Sequence, residues 1–171
     1  MGQILMIIAQ KDFRDEELFV PKGIFEAAGY GVKIASLSRA KATGMKGAVV
    51  QPDFGVGETN SGFYDAVIVV GGAGTSSLWN RDELNSMLRD ANASGKLVCA
   101  ICLGPTVLAK AGLLGGVKAT VFRTPESMQI LRDERVKYSS DPVVVDGNIV
   151  TAEGPKSAEA FGKKIVELLK K

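Results

Sequence analysis

No histidine occurs among the 171 residues. That absence excludes any Cys–His or Ser–His pair built from this chain alone, and with it the commonest general base of nucleophilic catalysis. Cysteine is nearly as scarce, with Cys99 and Cys102 the only two. Two thiols without histidine cannot complete a four-ligand zinc site, so neither a metal nor a cofactor is expected. The pair is spaced C-A-I-C, formally the C-x-x-C of redox motifs. It closes an apolar run instead of opening a helix, however, and a strand would put the two side chains on opposite faces. The reading is two independent thiols, Cys99 in the core and Cys102 at the turn that follows.

Charge is also short. The net value is +2 and no run of lysine or arginine stands out, which leaves a nucleic-acid face without support. The longest apolar stretch, Tyr64–Val70, is far too short to span a bilayer, so no membrane partner is expected. The start, MGQILMIIAQKD, has neither the basic opening nor the small-residue cleavage site of a signal peptide. Met6 stands where a myristoylation pattern needs serine or threonine. The expectation is a cytoplasmic protein.

What is present is ordinary for a globular chain: 46% hydrophobic and 23% charged residues, and a length that suits one domain over residues 1–171. Gln3–Ala9 is a continuous apolar run, as in a buried parallel strand. Asp15, Glu16 and Glu17 then open an amphipathic stretch that closes at Gly29, acidic first and glycine last as in a helix. Pro21 must sit in an early turn or kink it. Val32–Ser36 reads as a strand, and residues 39–62 as a short hairpin or meander. Ala66–Val70 is a further buried strand ending at Gly71-Gly72. A short helical segment around Thr75–Trp79 follows, then a helix over Arg81–Ala93 with Leu84, Met87 and Leu88 on one face.

Lys96–Ile101 reads as a strand and Pro105–Ala111 as a helix stopped by Gly112. Lys118–Phe122 reads as a short strand. Pro142–Val145 and Asn148–Thr151 flank Asp146-Gly147, a hairpin signal. Pro155–Leu169 is a closing helix with proline at its start. Strand and helix alternate, so the fold class is α/β: a doubly wound, mostly parallel sheet with helices on both faces. Such sheets bind ligands at the carboxyl ends of their strands. Three chemically notable features fall at such ends: the acids at 15–17, Gly71-Gly72, and Cys102.

Ala100-Ile101-Cys102-Leu103-Gly104 has the form of a nucleophile elbow, with Gly104 relieving crowding where helix and strand meet. A helix N-terminus behind the sulfur would favour the thiolate, and the N–H groups of Leu103 and Gly72 would hold a developing oxyanion. The other reading, a buried cysteine acting as a small hydrophobe, stays open on local sequence. Glu17 stands likewise between two readings. It is either a general acid/base near the thiol or one of three acids that favour a helix dipole.

The chain resembles the DJ-1/PfpI superfamily across nearly its whole length. The resemblance rests on EELFVP with Glu17 four residues before Pro21, VIVVGGAG, AICLGP followed by TVLAKAGLL, VVVDGNIVTAEGP, and the final helix. It implies a flavodoxin-like fold, Cys102 as nucleophile, Glu17 as its partner, and Gly72 and Leu103 as backbone donors near the sulfur. It also implies a homodimer or higher homo-oligomer. The chain departs from the family where Leu103 replaces the histidine of the PfpI-type peptidases. Ser76 stands where they place an acid supplied to a neighbouring subunit. Phe122 or a neighbour takes the place of a DJ-1-type histidine, and Glu153 that of a common arginine. Trp79 reads as either an interface or lid residue or a partly buried helix anchor.

The chemistry that survives these losses needs only a thiol, a carboxylate and an oxyanion site. It is the conversion of small reactive carbonyls, glyoxalase- or deglycase-like, in stress protection. A redox-sensing, chaperone-like role through Cys102 oxidation, an intracellular cysteine peptidase, and a purely structural role are the other readings.

Overall fold

The computed structural model describes residues 2–171. In chain order its elements are β1 (Gln3–Ile7), β2 (Lys11–Phe13), α1 (Asp15–Ala27), β3 (Gly31–Ser36), β4 (Ala42–Gly44), β5 (Val49–Val50), β6 (Phe54–Gly55) and β7 (Ala66–Val69). Then come α2 (Asp82–Ala93), β8 (Leu97–Ile101), α3 (Gly104–Lys110), β9 (Lys118–Ala119), α4 (Pro125–Asp133), β10 (Lys137–Tyr138), β11 (Val143–Asp146), β12 (Ile149–Ala152) and α5 (Ala158–Leu169). Short 3-10 turns at Ala73–Leu78 and Pro155–Ser157 lead from strand ends toward α2 and α5.

Seven strands form one sheet in the order β11-β12-β8-β7-β1-β3-β6. Every neighbouring pair in it is parallel except the β11–β12 hairpin. The central strands are apolar throughout because both of their faces are covered. Leu5 and Ile7 of β1 join one apolar layer with Leu84, Leu88, Val107 and Ile130. Ile4 and Met6 join the other, with Leu18, Phe25, Phe161 and Ile165. Helices α2, α3 and α4 therefore cover one face and α1 and α5 the other, giving the doubly wound, flavodoxin-like architecture. No helix among the described residues is long and apolar enough to cross a membrane.

The region expected to meander does so. β4 and β5 form an antiparallel hairpin beside β2 in a separate three-stranded sheet. Pro21 lies in the second turn of α1, where its missing N–H deprives the Glu17 carbonyl of its normal helical donor.

Two elements depart from the sequence reading. Lys118–Phe122 is a strand only at Lys118–Ala119, which pairs with β10 and not with the main sheet. Past Ala119 the chain leaves the ladder because its amides bond elsewhere: Thr120 N to Thr151 Oγ1 at 3.0 Å and Phe122 N to Cys102 O at 2.8 Å. Helix α4 is an addition. Its local signal was the Thr124–Ser127 pair around Pro125, which forms a reciprocal cap.

Candidate active site

The parallel strands β1, β7 and β8 bring the three features of their carboxyl ends to one point. The chain after β2 is tied to the end of β7 by Arg14 N donating to Gly71 O at 2.8 Å, and Cys102 N donates to Ala152 O at 2.9 Å. Between β8 and α3 the backbone turns through Cys102, which has φ +64°. A non-glycine residue there carries strain, on the order of 1–3 kcal/mol, of the kind that concentrates at functional corners. Gly104 makes the turn feasible, since a Cβ on it would lie 2.5 Å from Val69 O.

The left-handed turn also corrects the expectation that the two thiols occupy opposite faces. Cys99 and Cys102 both pack into the α1/α5 layer, because strand alternation ends at Ile101 and the next residue swings back. Both are free. Burial pushes the Cys99 thiol well above its ordinary range, which suits an inert core residue.

The three consecutive acids divide their tasks by orientation. The Asp15 carboxylate accepts from Lys46 N at 2.9 Å and Ala48 N at 3.0 Å, fastening the hairpin to α1. Glu16 turns outward to Arg14, at 3.0 and 3.1 Å, and to Lys46 Nζ at 3.1 Å. Partial burial opposes its ionisation, but hydrogen bonds from its own backbone amide, Arg14 and Lys46 together hold its carboxyl at about 2. Glu17 turns inward and is 0% exposed. Its Oε1 accepts from Gly71 N at 3.0 Å, while its buried Oε2 has no hydrogen-bond partner.

Glu17 and Cys102 converge on Gly71. A Cβ at that position would lie 2.6 Å from Cys102 Cβ and 2.6 Å from Glu17 Oε1, so only glycine lets thiol and carboxyl share the space. Burial pushes the Glu17 carboxyl up to about 7, against the opposing pull of Cys102 and the Gly71 N–H. The Cys102 thiol, 6% exposed, is pushed up by burial first, and further by the adjacent Glu17 carboxyl. The N–H groups of Leu103 and Gly72 pull the other way.

The two N–H groups that favour the thiolate are those of the expected backbone donors, Gly72 and Leu103. Desolvation opposes ionisation of both Glu17 and Cys102, while the two N–H dipoles favour the thiolate. No group of three or more acidic or cysteine side chains among the described residues is placed to hold a metal.

Two clefts lie near the elbow, one lined by Leu103 itself and the other by Phe122, whose N–H bonds the Cys102 carbonyl. One, of about 410 Å³, is lined by Ser76, Trp79, Leu103, Thr106 and Ser127 among others. Trp79 is an anchored wall residue there, its Nε1 donating to Thr106 Oγ1 at 2.8 Å, and Thr106 in turn donates to Leu103 O at 2.6 Å. The other, of about 740 Å³, is lined by Arg14, Val121, Phe122, Glu153, Gly154 and Pro155 among others. Gly71 and Arg14 were not singled out from the sequence as site residues. Gly71 was visible as half of the Gly-Gly pair, whereas Arg14 gave no local signal beyond its place before three acids.

The family model described as "DJ-1/PfpI family" matches residues 2–168. A deglycase of Pyrococcus horikoshii is 31% identical over 97% of this chain and 99% of its own length. A glutathione-independent glyoxalase of Caenorhabditis elegans is 30% identical over 96% of this chain and 87% of its own. The crystal structure of a ThiJ/PfpI domain protein from Brachyspira murdochii superposes with a TM-score of 0.93 at 33% identity, covering 98% of this chain and 96% of that one.

Proposed function

The chain belongs to the DJ-1/PfpI family, and from that premise we propose that it is a carbonyl-converting enzyme in which Cys102 is the nucleophile and Glu17 the proton carrier. The observation that carries the reading is the convergence of the buried Glu17 carboxyl and the Cys102 thiol on Gly71, with that carboxyl raised to about 7. A base poised near neutrality is what a proton shuttle needs. Relatives named deglycases and a glyoxalase support the same class of chemistry.

The substrate class is a 2-oxoaldehyde. Cys102 Sγ bonds to the aldehyde carbon, and Glu17 relays the thiol proton to the carbonyl oxygen as it forms against the N–H groups of Gly72 and Leu103. Glu17 then removes the hydrogen from that carbon and returns it to the neighbouring carbonyl carbon, while the hydroxyl proton passes from the first oxygen to the second. The first carbon rises to the thioester level and the second falls to the alcohol level, so no external oxidant or reductant is needed. Water cleaves the thioester, releasing a 2-hydroxy acid and the thiol. Lactate formation from methylglyoxal tests this. Wild type should turn over, while Cys102→Ala and Glu17→Gln should each lose at least about a hundredfold in rate, the scale of a proton-transfer group. Equal rates in wild type and Cys102→Ala sink the reading.

A homo-oligomer forms part of the proposal. Phe19 and Val20 on α1, with Met45 and Val49 on the adjoining β4–β5 hairpin, are exposed apolar side chains of the kind that subunit contacts cover. The redox-sensor reading asks for an accessible, low-pKa thiolate, and the burial of Cys102 counts against it. The peptidase reading asks for a base other than histidine, and Glu17 is the only buried candidate beside the thiol among the described residues.

A further inference from the structure

We propose that Phe122 is a specificity-determining residue that selects carbonyl compounds carrying an aryl or branched apolar substituent, held in the 740 Å³ cleft that Phe122 lines, on a segment bonded to the Cys102 backbone. This rests on the carbonyl chemistry of the preceding subsection and names the substrate class within it.

The position of Phe122 is fixed by its backbone. Its N–H donates to Cys102 O at 2.8 Å. Its carbonyl accepts from Ser127 Oγ at 2.7 Å, and Ser127 is itself locked by the reciprocal cap with Thr124. Both polar groups of the residue are therefore spoken for, one by the nucleophile's own carbonyl. The ring has no freedom to swing away with its segment, yet it remains 45% exposed, unusual for a phenylalanine so firmly anchored.

One neighbour shows how the ring is accommodated. A Cβ on Gly154 would lie 3.3 Å from Phe122 Cδ1, so the ring rests against the glycine's backbone where a side chain would otherwise stand. Val121 and Pro155 continue the apolar wall, and the charged groups Arg14, Glu16, Arg123, Glu153 and Lys156 also line the cleft. An exposed aromatic face on a segment bonded to the Cys102 backbone offers area to an apolar group and no hydrogen bond to a polar one. A methyl group on the substrate covers little of such a face, and an aryl group covers much more.

The test compares methylglyoxal with phenylglyoxal as substrates, together with the rate at which Cys102 is alkylated by phenacyl bromide relative to iodoacetamide. In wild type the aryl reagent of each pair should be preferred. Phe122→Ala should lower kcat/KM for phenylglyoxal about tenfold, the scale of one lost apolar contact surface, while methylglyoxal changes less than about twofold. Phe122→Tyr should restore the preference. The exposed position lets the alanine variant fold, which its circular dichroism and melting curve would verify. An equal fall for both substrates, or an unchanged alkylation ratio in Phe122→Ala, overturns the proposal. Absence of turnover for either carbonyl in wild type would defeat the proposed function and leave the alkylation ratio to decide the role of Phe122.

Discussion

Glu17 has a proton affinity that only its surroundings explain. Burial lifts its carboxyl from 4.5 to about 7. Between those values the folded protein holds a proton that the unfolded chain has released, so stability falls as pH rises through that window. The integrated loss is about 3 kcal/mol. Below pH 4.5 the two states are alike in this group, and above 7 the full cost is present. Glu17→Gln has no proton to lose. Its melting temperature relative to wild type should rise between pH 5 and pH 8, by roughly 5–10 °C for a chain of this size. The same titration should appear in wild-type kcat/KM as an increase centred near pH 7, flattened in the glutamine variant. A constant melting difference across that range would show that the carboxyl is ionised at every pH tested. From the sequence, Glu17 was indistinguishable from Asp15 and Glu16 except through the family resemblance, since all three are acids in one helical turn. Their separation into hairpin clasp, surface ion pair and buried base follows from the 100° between successive helical positions and from what packs on each side.

At the scale of elements, the β8–α3 corner determines whether the thiol is presented at all. Gly104 is wedged under Val69 O, so Gly104→Ala forces strand β7 and helix α3 apart. The expected cost is about 1–3 kcal/mol, as for other overpacked sites, read as a lower urea midpoint with an unchanged slope. The Gly72 and Leu103 donors lie just after β7 and just before α3, so the variant should also slow alkylation of Cys102. A variant as stable as wild type would mean that the corner yields without strain. The corner was legible in the residues because small–thiol–small–glycine after an apolar run is a local pattern. The failure at Lys118–Phe122 has the opposite character. That stretch satisfies its amides with Thr151 and Cys102 instead of a strand ladder, and both partners lie far away in the chain.

At the scale of the whole molecule, the buried layers close both faces of the sheet, while Phe19, Val20, Met45 and Val49 stay uncovered. If a second copy covers them, Val20→Glu should shift the sedimentation coefficient toward that of a single 171-residue chain. An unchanged coefficient would remove this face from the assembly. The alternation of apolar runs and amphipathic helices specified the doubly wound sheet, because strand burial on two faces and helix burial on one leave different periodicities in a chain. It also located the carboxyl ends where chemistry was to be sought.

The sequence by itself determined the sheet, the Cys102 elbow, and the exclusion of any histidine-dependent mechanism within one chain, since each depends on residue type or local spacing. Only the tertiary structure decided that Glu17 is buried against Gly71 with its proton affinity raised, and that the Phe122 N–H is bonded to the Cys102 carbonyl. Those outcomes are set by desolvation and by contacts between segments distant in the chain, and neither quantity is carried by any short stretch of residues.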